Sequence, residues 1–467
     1  MNIRFLGSAR EVTGSKHLIT TEKGKNILLD CGMFQGKGME TDSLNRNLGF
    51  DPKEIHYLIL SHAHIDHSGL IPYMYKLGFR GSVICTSATR DLCALMLPDS
   101  GHIQELDVKW YNKKLHKRGE KPVEPIYTVE DAERSLELFI SVSYNRRFYI
   151  NEDINVKFTN SGHMLGSAVV NLEILENGVK KKLAYTGDIG RPTNKLLKSP
   201  EPFPPCEYVI TESTYGNRLH ASDQESKDEL LRIVKETCIE KKGKLIIPAF
   251  SVGRTQEVVF MLNNFYNEGL LPRIEVFVDS PLSVNATHIF KMHTDCMNDD
   301  VKNVLKYDDD AFGFNSLRYI KKTDESKALN DYNNPCIIIS SSGMAEAGRV
   351  KHHIANNIAN SANTILIIGY CSPSSLGARI QQPGLREISI LGEIRPVRAA
   401  VERIEAFSGH ADYSEMIRFL QCQNPEKLQR IFLVHGEIDS QTFYKNQLEL
   451  KGFKNIEIPE RGEMFSI

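Results

Sequence analysis

Four candidate metal ligands, His62, His64, Asp66 and His67, fall within six positions directly after the apolar run Tyr57-Leu58-Ile59-Leu60. That run reads as a buried strand, and Ser68-Gly69-Leu70-Ile71-Pro72 reads as the start of a short helix. The donors therefore sit on a loop at a strand's C-terminal end, where open α/β sheets carry their sites. His62 and His64 are two positions apart, so an extended segment points both imidazoles to one side. Asp66 and His67 are adjacent, and the turn into the helix swings them toward a second point. One loop can thus hold two cations side by side, and imidazole with carboxylate suits Zn²⁺. The outstanding ligands must come from elsewhere in the chain.

A chain of 467 residues is too long for one ordinary core, and length alone predicts about three domains. With 41% hydrophobic and 25% charged residues it falls in the soluble globular class. No apolar run approaches the roughly 18 residues of a membrane span. The N-terminus Met1-Asn2-Ile3-Arg4-Phe5-Leu6-Gly7 lacks the basic and apolar regions of a signal peptide, so the expected location is cytoplasmic. Nine scattered cysteines with no CxxC pair imply reduced thiols and exclude a Cys-based zinc ribbon. At a net charge of -2, a polyanionic substrate must be gripped by a local basic groove or by backbone amides, because the global field attracts nothing.

In chain order, short strands are expected over 3–6, 17–20 and 26–30. Asp30 ends the third, either as a cap or to orient a metal ligand from the loop that follows. A strand over 82–86 leads into a long mixed stretch. Within it, Thr128-Val129-Glu130-Asp131 is a capping box opening a helix with Leu136, Leu138 and Phe139 on one face. The lysine-rich piece 113–121 reads as a solvated loop. Strands over 154–158 and 168–174 flank Ser161-Gly162-His163, and His163 is a candidate third ligand for the first metal. The apolar strand over 183–185 ends in Gly187-Asp188-Ile189-Gly190. A carboxylate there can bridge two metals, although Asp-Gly chemistry alone means a turn.

Ser199-Pro200-Glu201-Pro202-Phe203-Pro204-Pro205 reads as a hinge. Beyond it, strands over 208–212, 245–248, 274–278, 336–340 and 364–368 alternate with helical patterns over 224–241 and 253–267. Val258, Met261, Leu262 and Phe265 form the apolar face of the latter. Such alternation predicts a parallel sheet with helices on both faces. The expected division is a first domain over 1–207, an inserted domain over 208–394, and a return to the first over 395–467. In the return, His410 and His435 each follow an apolar strand.

Leu29-Asp30, the HxHxDH block, Ser161-Gly162-His163 and Gly187-Asp188 resemble, in content and order, the motifs of the metallo-β-lactamase superfamily. Thr211-Glu212-Ser213-Thr214-Tyr215-Gly216, Ser408-Gly409-His410-Ala411-Asp412 and Val434-His435-Gly436-Glu437 resemble motifs A, B and C of its β-CASP family. That branch processes nucleic acids and includes RNase J and the cleavage and polyadenylation endonuclease. The segments 248–257, 279–282 and 341–344 resemble further family signatures. The resemblance covers the whole chain and implies an α/β architecture, an αββα sandwich with an inserted β-CASP cap domain built on a parallel sheet.

For the site, the resemblance implies two Zn²⁺ per chain. One is held by His62, His64 and His163, the other by Asp66, His67 and His435, with Asp188 bridging and room for a two-metal-activated hydroxide that attacks phosphorus in line. His410 is then the general acid for the leaving 3′ oxygen, aimed by Glu212, and the products carry a 5′-phosphate and a 3′-hydroxyl. Asp66, Asp188, Glu212 and His410 form the expected catalytic set. Substrate contacts are expected from Arg254 at a helix start, from an anion nest at Ser341-Ser342-Gly343, and from Ser408. One departure stands out: in Gly369-Tyr370-Cys371-Ser372-Pro373-Ser374-Ser375-Leu376-Gly377-Ala378-Arg379, Cys371 replaces the family's Gln and Ala378 its first Arg.

The expected activity is zinc-dependent hydrolysis of single-stranded RNA in processing or decay, with a homodimer left open and no membrane or extra RNA-binding module expected. A DNA-acting nuclease is the nearest alternative, since no residue evidently reads a 2′-hydroxyl. A small-molecule metallo-hydrolase has no use for a cap or for Glu212 with His410, and a scaffold with a dead site has no need of seven ligands.

Overall fold

The computed structural model describes residues 1–36, 38, 40–220, 223–369, 371–372, 375–404 and 409–467. The chain divides into two compact units, Met1–Leu219 with Gly409–Ile467, and His220–Ser408.

The first unit holds two seven-stranded sheets. One runs Met464–Ser466, Asn2–Gly7, Lys16–Thr20, Asn26–Leu29, Tyr57–Ile59, Ser82–Cys85, Phe139–Ser141 from edge to edge. The other runs Ile456–Glu457, Arg430–Val434, Tyr208–Glu212, Val179–Tyr185, Ala168–Glu176, Ile154–Asn160, Arg147–Tyr149. Alternate residues along the strands (Ile3 and Phe5, Ile27 and Leu29, Val156 and Phe158, Val170 and Leu172) are buried together in one core between the sheets. The opposite face of the second sheet, with Val169, Ala184, Val209, Ile431 and Leu433, packs on Met416, Ile417 and Leu420 of helix Tyr413–Leu420 and on Tyr444 and Leu448 of helix Ile438–Leu450. Leu28 and Leu58, out of phase with Ile27 and Ile59, are also fully buried, so the first sheet is covered on its outer face too. This is the αββα sandwich.

The second unit is built on a six-stranded sheet, Leu317–Ile320, Glu275–Asp279, Cys336–Ser340, Lys244–Pro248, Thr364–Ile368, Ala400–Ile404, with every neighbouring pair parallel. Ile337, Ile338 and Ile339 are consecutive and all fully buried, the pattern of a strand covered on both faces.

Several boundaries differ from the sequence expectation. Strand Tyr208–Glu212 belongs to the first unit, hydrogen-bonded in parallel between Leu183–Tyr185 and Arg430–Val434. Strand Ala400–Ile404 belongs to the second unit, as the edge partner of Thr364–Ile368. The helix opened by the Thr128–Asp131 capping box stops at Ser135, and Phe139 begins a strand. The lysine-rich piece is not a loop up to Lys117, because helix Ser87–Lys117 runs through it. Among the described residues, no helix is long and apolar enough to cross a membrane.

Candidate metal centre

Strand Tyr57–Ile59 lies between Asn26–Leu29 and Ser82–Cys85, so the loop after it emerges at the middle of a parallel run. Two neighbouring loops then clamp the one-turn helix Ile65–Ser68. Ser15 N donates to Asp66 O at 2.9 Å, Cys31 N to His67 O at 2.7 Å, and Met33 N to Ile65 O at 2.9 Å. A Cβ at Gly32 would meet Asp66 O at 1.6 Å, so only glycine permits that approach. Gly190 plays the same part between the other loops, where a Cβ would meet Gly162 O at 1.9 Å.

Three imidazole nitrogens converge on one point. His64 Nδ1 lies 3.2 Å from His62 Nε2 and 3.2 Å from His163 Nε2. The outward nitrogens of the last two are committed. His163 Nδ1–H donates to Gly409 O at 3.0 Å, and a carbonyl can only accept. Ser61 Oγ–H donates to Asp30 Oδ2 at 2.7 Å, so it accepts from His62 Nδ1–H at 3.0 Å. Both Nε2 atoms therefore present lone pairs inward, and at most one of the two 3.2 Å contacts is a hydrogen bond. Burial holds His62 and His163 well below the usual imidazole range and lowers His64 to about 4 despite the Asp66 and Asp188 carboxylates. Unprotonated nitrogens at this spacing are what a cation requires of its ligands.

The second group is Asp66, His67 and His435. His67 Nδ1–H donates to Asp30 Oδ2 at 2.7 Å. Thr214 Oγ1–H donates to the carbonyl of His435 at 3.0 Å and so accepts from His435 Nδ1–H at 2.9 Å. The two Nε2 atoms face one another at 3.0 Å, with Asp66 Oδ2 3.5 Å from that of His435. Only one proton fits between them. Burial opposes it, but the Asp188 and Asp30 carboxylates outweigh burial and hold His67 well above its ordinary value. A cation there would take over the work of that proton. His435 reaches this position in a left-handed backbone conformation, φ 53°, of the kind that costs energy and gathers at functional sites.

Asp188 stands between the groups. Its Oδ2 is 3.5 Å from His62 Nε2 and 3.4 Å from His163 Nε2. Its Oδ1 is 3.3 Å from His67 Nε2 and 3.6 Å from that of His435. Among the described residues Oδ1 is buried with no hydrogen bond of good geometry, only the His67 ring at 3.3 Å and the His435 ring at 3.6 Å facing it, an arrangement that a bound cation would complete. All seven expected ligands thus come together in the first unit as groups able to hold metal. Asp30 also lies within reach of His62 and His67. Its Oδ2 accepts from Ser61 Oγ, His67 Nδ1 and Tyr185 Oη and its Oδ1 from Ser61 N, each at 2.7 Å, so it fixes the orientation of the loop and of the His67 ring.

Beside the centre, Glu212 ends strand Tyr208–Glu212, fully buried. Ile189 N donates to its Oε1, and His410 Nδ1 lies 3.2 and 3.1 Å from its two oxygens. Burial disfavours a charged imidazole, yet Glu212 and Asp188 outweigh it and push His410 up to about 9. Its ring is 4.5 Å from that of His163.

Three residues of this network are not singled out in the sequence. Tyr185 donates to Asp30 and contacts Ser15 Oγ at 2.9 Å, Thr214 holds His435, and Ser61 holds His62. Tyr185 ends a strand, Ser61 directly precedes the histidine block, and Thr214 lies within the Thr211–Gly216 motif, which are the signals that could have marked them.

The expected substrate contacts lie in the second unit. Arg254 opens helix Arg254–Asn267 and pairs with Glu257. Ser341 Oγ donates to Ser280 Oγ at 2.9 Å. Ser342 N donates to Ala347 O at 3.2 Å, and Ser342 Oγ lies 3.3 Å from the same oxygen. Gly343 packs its backbone on the Phe250 ring. Cys371 Sγ is 3.9 Å from Gly343 O, and Ala378 N is bound to Ser375 Oγ at 3.2 Å. Ser408 lies outside the described residues.

Three family profiles match the chain: the metallo-beta-lactamase superfamily over residues 12–96, the Beta-Casp domain over 255–380, and the Zn-dependent metallo-hydrolase RNA specificity domain over 394–459. Ribonuclease TTHA0252 of Thermus thermophilus is 33% identical over 99% of both chains. The chain belongs to the β-CASP family of the metallo-β-lactamase superfamily. An RNase J-like protein of Methanocaldococcus jannaschii is 32% identical over 93% of this chain and 92% of its own length. Transcription termination factor FttA of the same organism is 32% identical over 94% of this chain and 67% of its own. As a β-CASP member the protein is a metal-dependent hydrolase.

Proposed function

We propose that the protein is a two-zinc ribonuclease that hydrolyses phosphodiester bonds of single-stranded RNA, in RNA processing or decay in the cytoplasm. The observation that carries this reading is Asp188, with each carboxylate oxygen turned to a different imidazole group and one of them lacking a hydrogen bond among the described residues. His62, His64 and His163 would hold one ion, Asp66, His67 and His435 the other, and Asp188 both. Bound there, two ions would lower the pKa of an attacking water and neutralise charge developing on the phosphate.

The remaining work falls to protein groups. His410, kept protonated by Glu212, donates a proton from Nε2 to the leaving 3′ oxygen, which yields 3′-hydroxyl and 5′-phosphate ends. Glu212 cannot turn away, because Ile189 N holds its Oε1. Arg254 and the hydroxyls of Ser341 and Ser408 are the proposed phosphate contacts. RNA is favoured over DNA by the ribonuclease name of the full-length relative and by the RNA specificity profile.

The test uses end-labelled RNA and DNA of matched sequence. Metal-loaded protein should cleave the RNA to 5′-phosphate products and lose activity in chelator. Equal cleavage in chelator, or cleavage of DNA alone, would contradict the reading.

A further inference from the structure

Helix Ser87–Lys117 begins against the metal centre, where Thr86 and Thr89 hydroxyls donate to Gly166 O at 2.7 and 2.9 Å, on the loop that carries His163. At 1.5 Å per residue, its last turns lie about 30 Å further along the axis. There the sequence becomes Lys109-Trp110-Tyr111-Asn112-Lys113-Lys114-Leu115-His116-Lys117-Arg118-Gly119-Glu120-Lys121. Six cations stand against one carboxylate, in a chain whose net charge is -2. All six cations are exposed. Among the described residues, none is ion-paired to a carboxylate.

The surface is also built. Asn112 Nδ2 donates to Val123 O at 2.9 Å and its Oδ1 accepts from Val123 N at 2.9 Å, which fixes the returning chain beside the helix. A groove of about 770 Å³ results, lined by Lys109, Lys113, His116 and Lys117 together with Glu105 and Glu124. On the same stretch of helix, outside the groove's lining, Trp110, the chain's only tryptophan, is 61% exposed, with Lys114 Nζ 3.4 Å from the ring centre. A large aromatic left in water amid cations of one sign is the combination by which proteins hold single strands, stacking on bases and neutralising phosphates.

We propose that the C-terminal third of this helix, with the groove beside it, is a second binding surface for single-stranded RNA, separate from the metal centre. It leans on the ribonuclease reading only for the choice of strand, since binding here needs no cleavage.

Metal-loaded full-length protein is titrated with a nuclease-resistant 2′-O-methyl phosphorothioate oligouridylate, following the emission of Trp110. Saturable quenching is expected, weakening with salt. The triple variant Lys109→Ala/Lys113→Ala/Lys117→Ala should flatten the log–log salt slope by about 2, at roughly 0.7 for each phosphate no longer neutralised. Trp110→Ala, followed through a labelled oligonucleotide, should weaken binding roughly tenfold at unchanged slope. Affinity and slope unchanged in both variants would overturn the proposal, as would quenching by phosphatidylserine vesicles and not by the oligonucleotide. Intact quenching in a protein that cleaves no RNA would count against the nuclease reading alone.

Discussion

The Nε2 atoms of His67 and His435 face each other at 3.0 Å across 368 residues of sequence. Each ring is locked from behind, His67 by Asp30 and His435 by Thr214, so neither can turn its nitrogen away. The approach is imposed by the fold rather than chosen by the rings, and a cation bound there would take the place of the one shared proton.

Asp30 should therefore matter for metal without touching it. Asp30→Asn leaves His67 and Ser61 with a weaker, ambiguous acceptor, and metal affinity should fall roughly 10–100-fold. Tyr185→Phe, which removes one donor to the same carboxylate, should lower it less. Competition with a chromophoric chelator measures both, and unchanged affinity in Asp30→Asn would make the network merely structural.

His410 should be separable from the metal ligands. His410→Ala is expected to retain full metal content while cleavage slows by roughly 10²–10⁴-fold, the worth of a general acid. If metal content falls in that variant, His410 is itself a ligand.

The pH profile reports on the same pair. His410, raised to about 9, is charged at neutral pH and loses its proton as pH rises through that value. Activity should then show an alkaline limb. Glu212→Gln removes the largest of the opposing charges, so the limb should move to lower pH. A limb that stays in place in Glu212→Gln would assign it to another group.

Lys16 supplies a stability test away from catalysis. It is fully buried, 3.2 Å from Gly32 O and 4.1 Å from the centre of the Phe34 ring, and burial lowers it from 10.5 to about 8. Between those values the unfolded chain binds more protons than the folded one, so stability rises with pH across that window. Denaturant midpoints of Lys16→Met should rise less over the same range, and equal slopes in the two proteins would refute the shift.

Much of the centre is legible in the sequence because its donors lie on the segments that follow strands, and strand ends are visible as apolar runs stopping at His, Asp or Gly. Glu212 and His410 are legible only through their motifs. Tyr185 is not, since an aromatic in an apolar strand has a local explanation, and the role of Thr214 within its motif is not, since its partner lies far away in sequence. The same non-locality hides the boundary at residue 208: composition marks the proline hinge, but strand pairing decides to which sheet Tyr208–Glu212 belongs. In helix Ser87–Lys117, Pro98 and the exposed Ile103, Leu106 and Trp110 erase the buried stripe by which a helix is recognised.

The most direct test of the binuclear proposal is metal stoichiometry by elemental analysis of the dialysed protein beside His163→Ala and His435→Ala. The expected values are about two zinc ions per chain, falling to about one in each variant, because each removes a ligand from a different ion. A single ion in the unaltered protein, or a count that one of the two substitutions leaves untouched, would contradict two sites joined through Asp188.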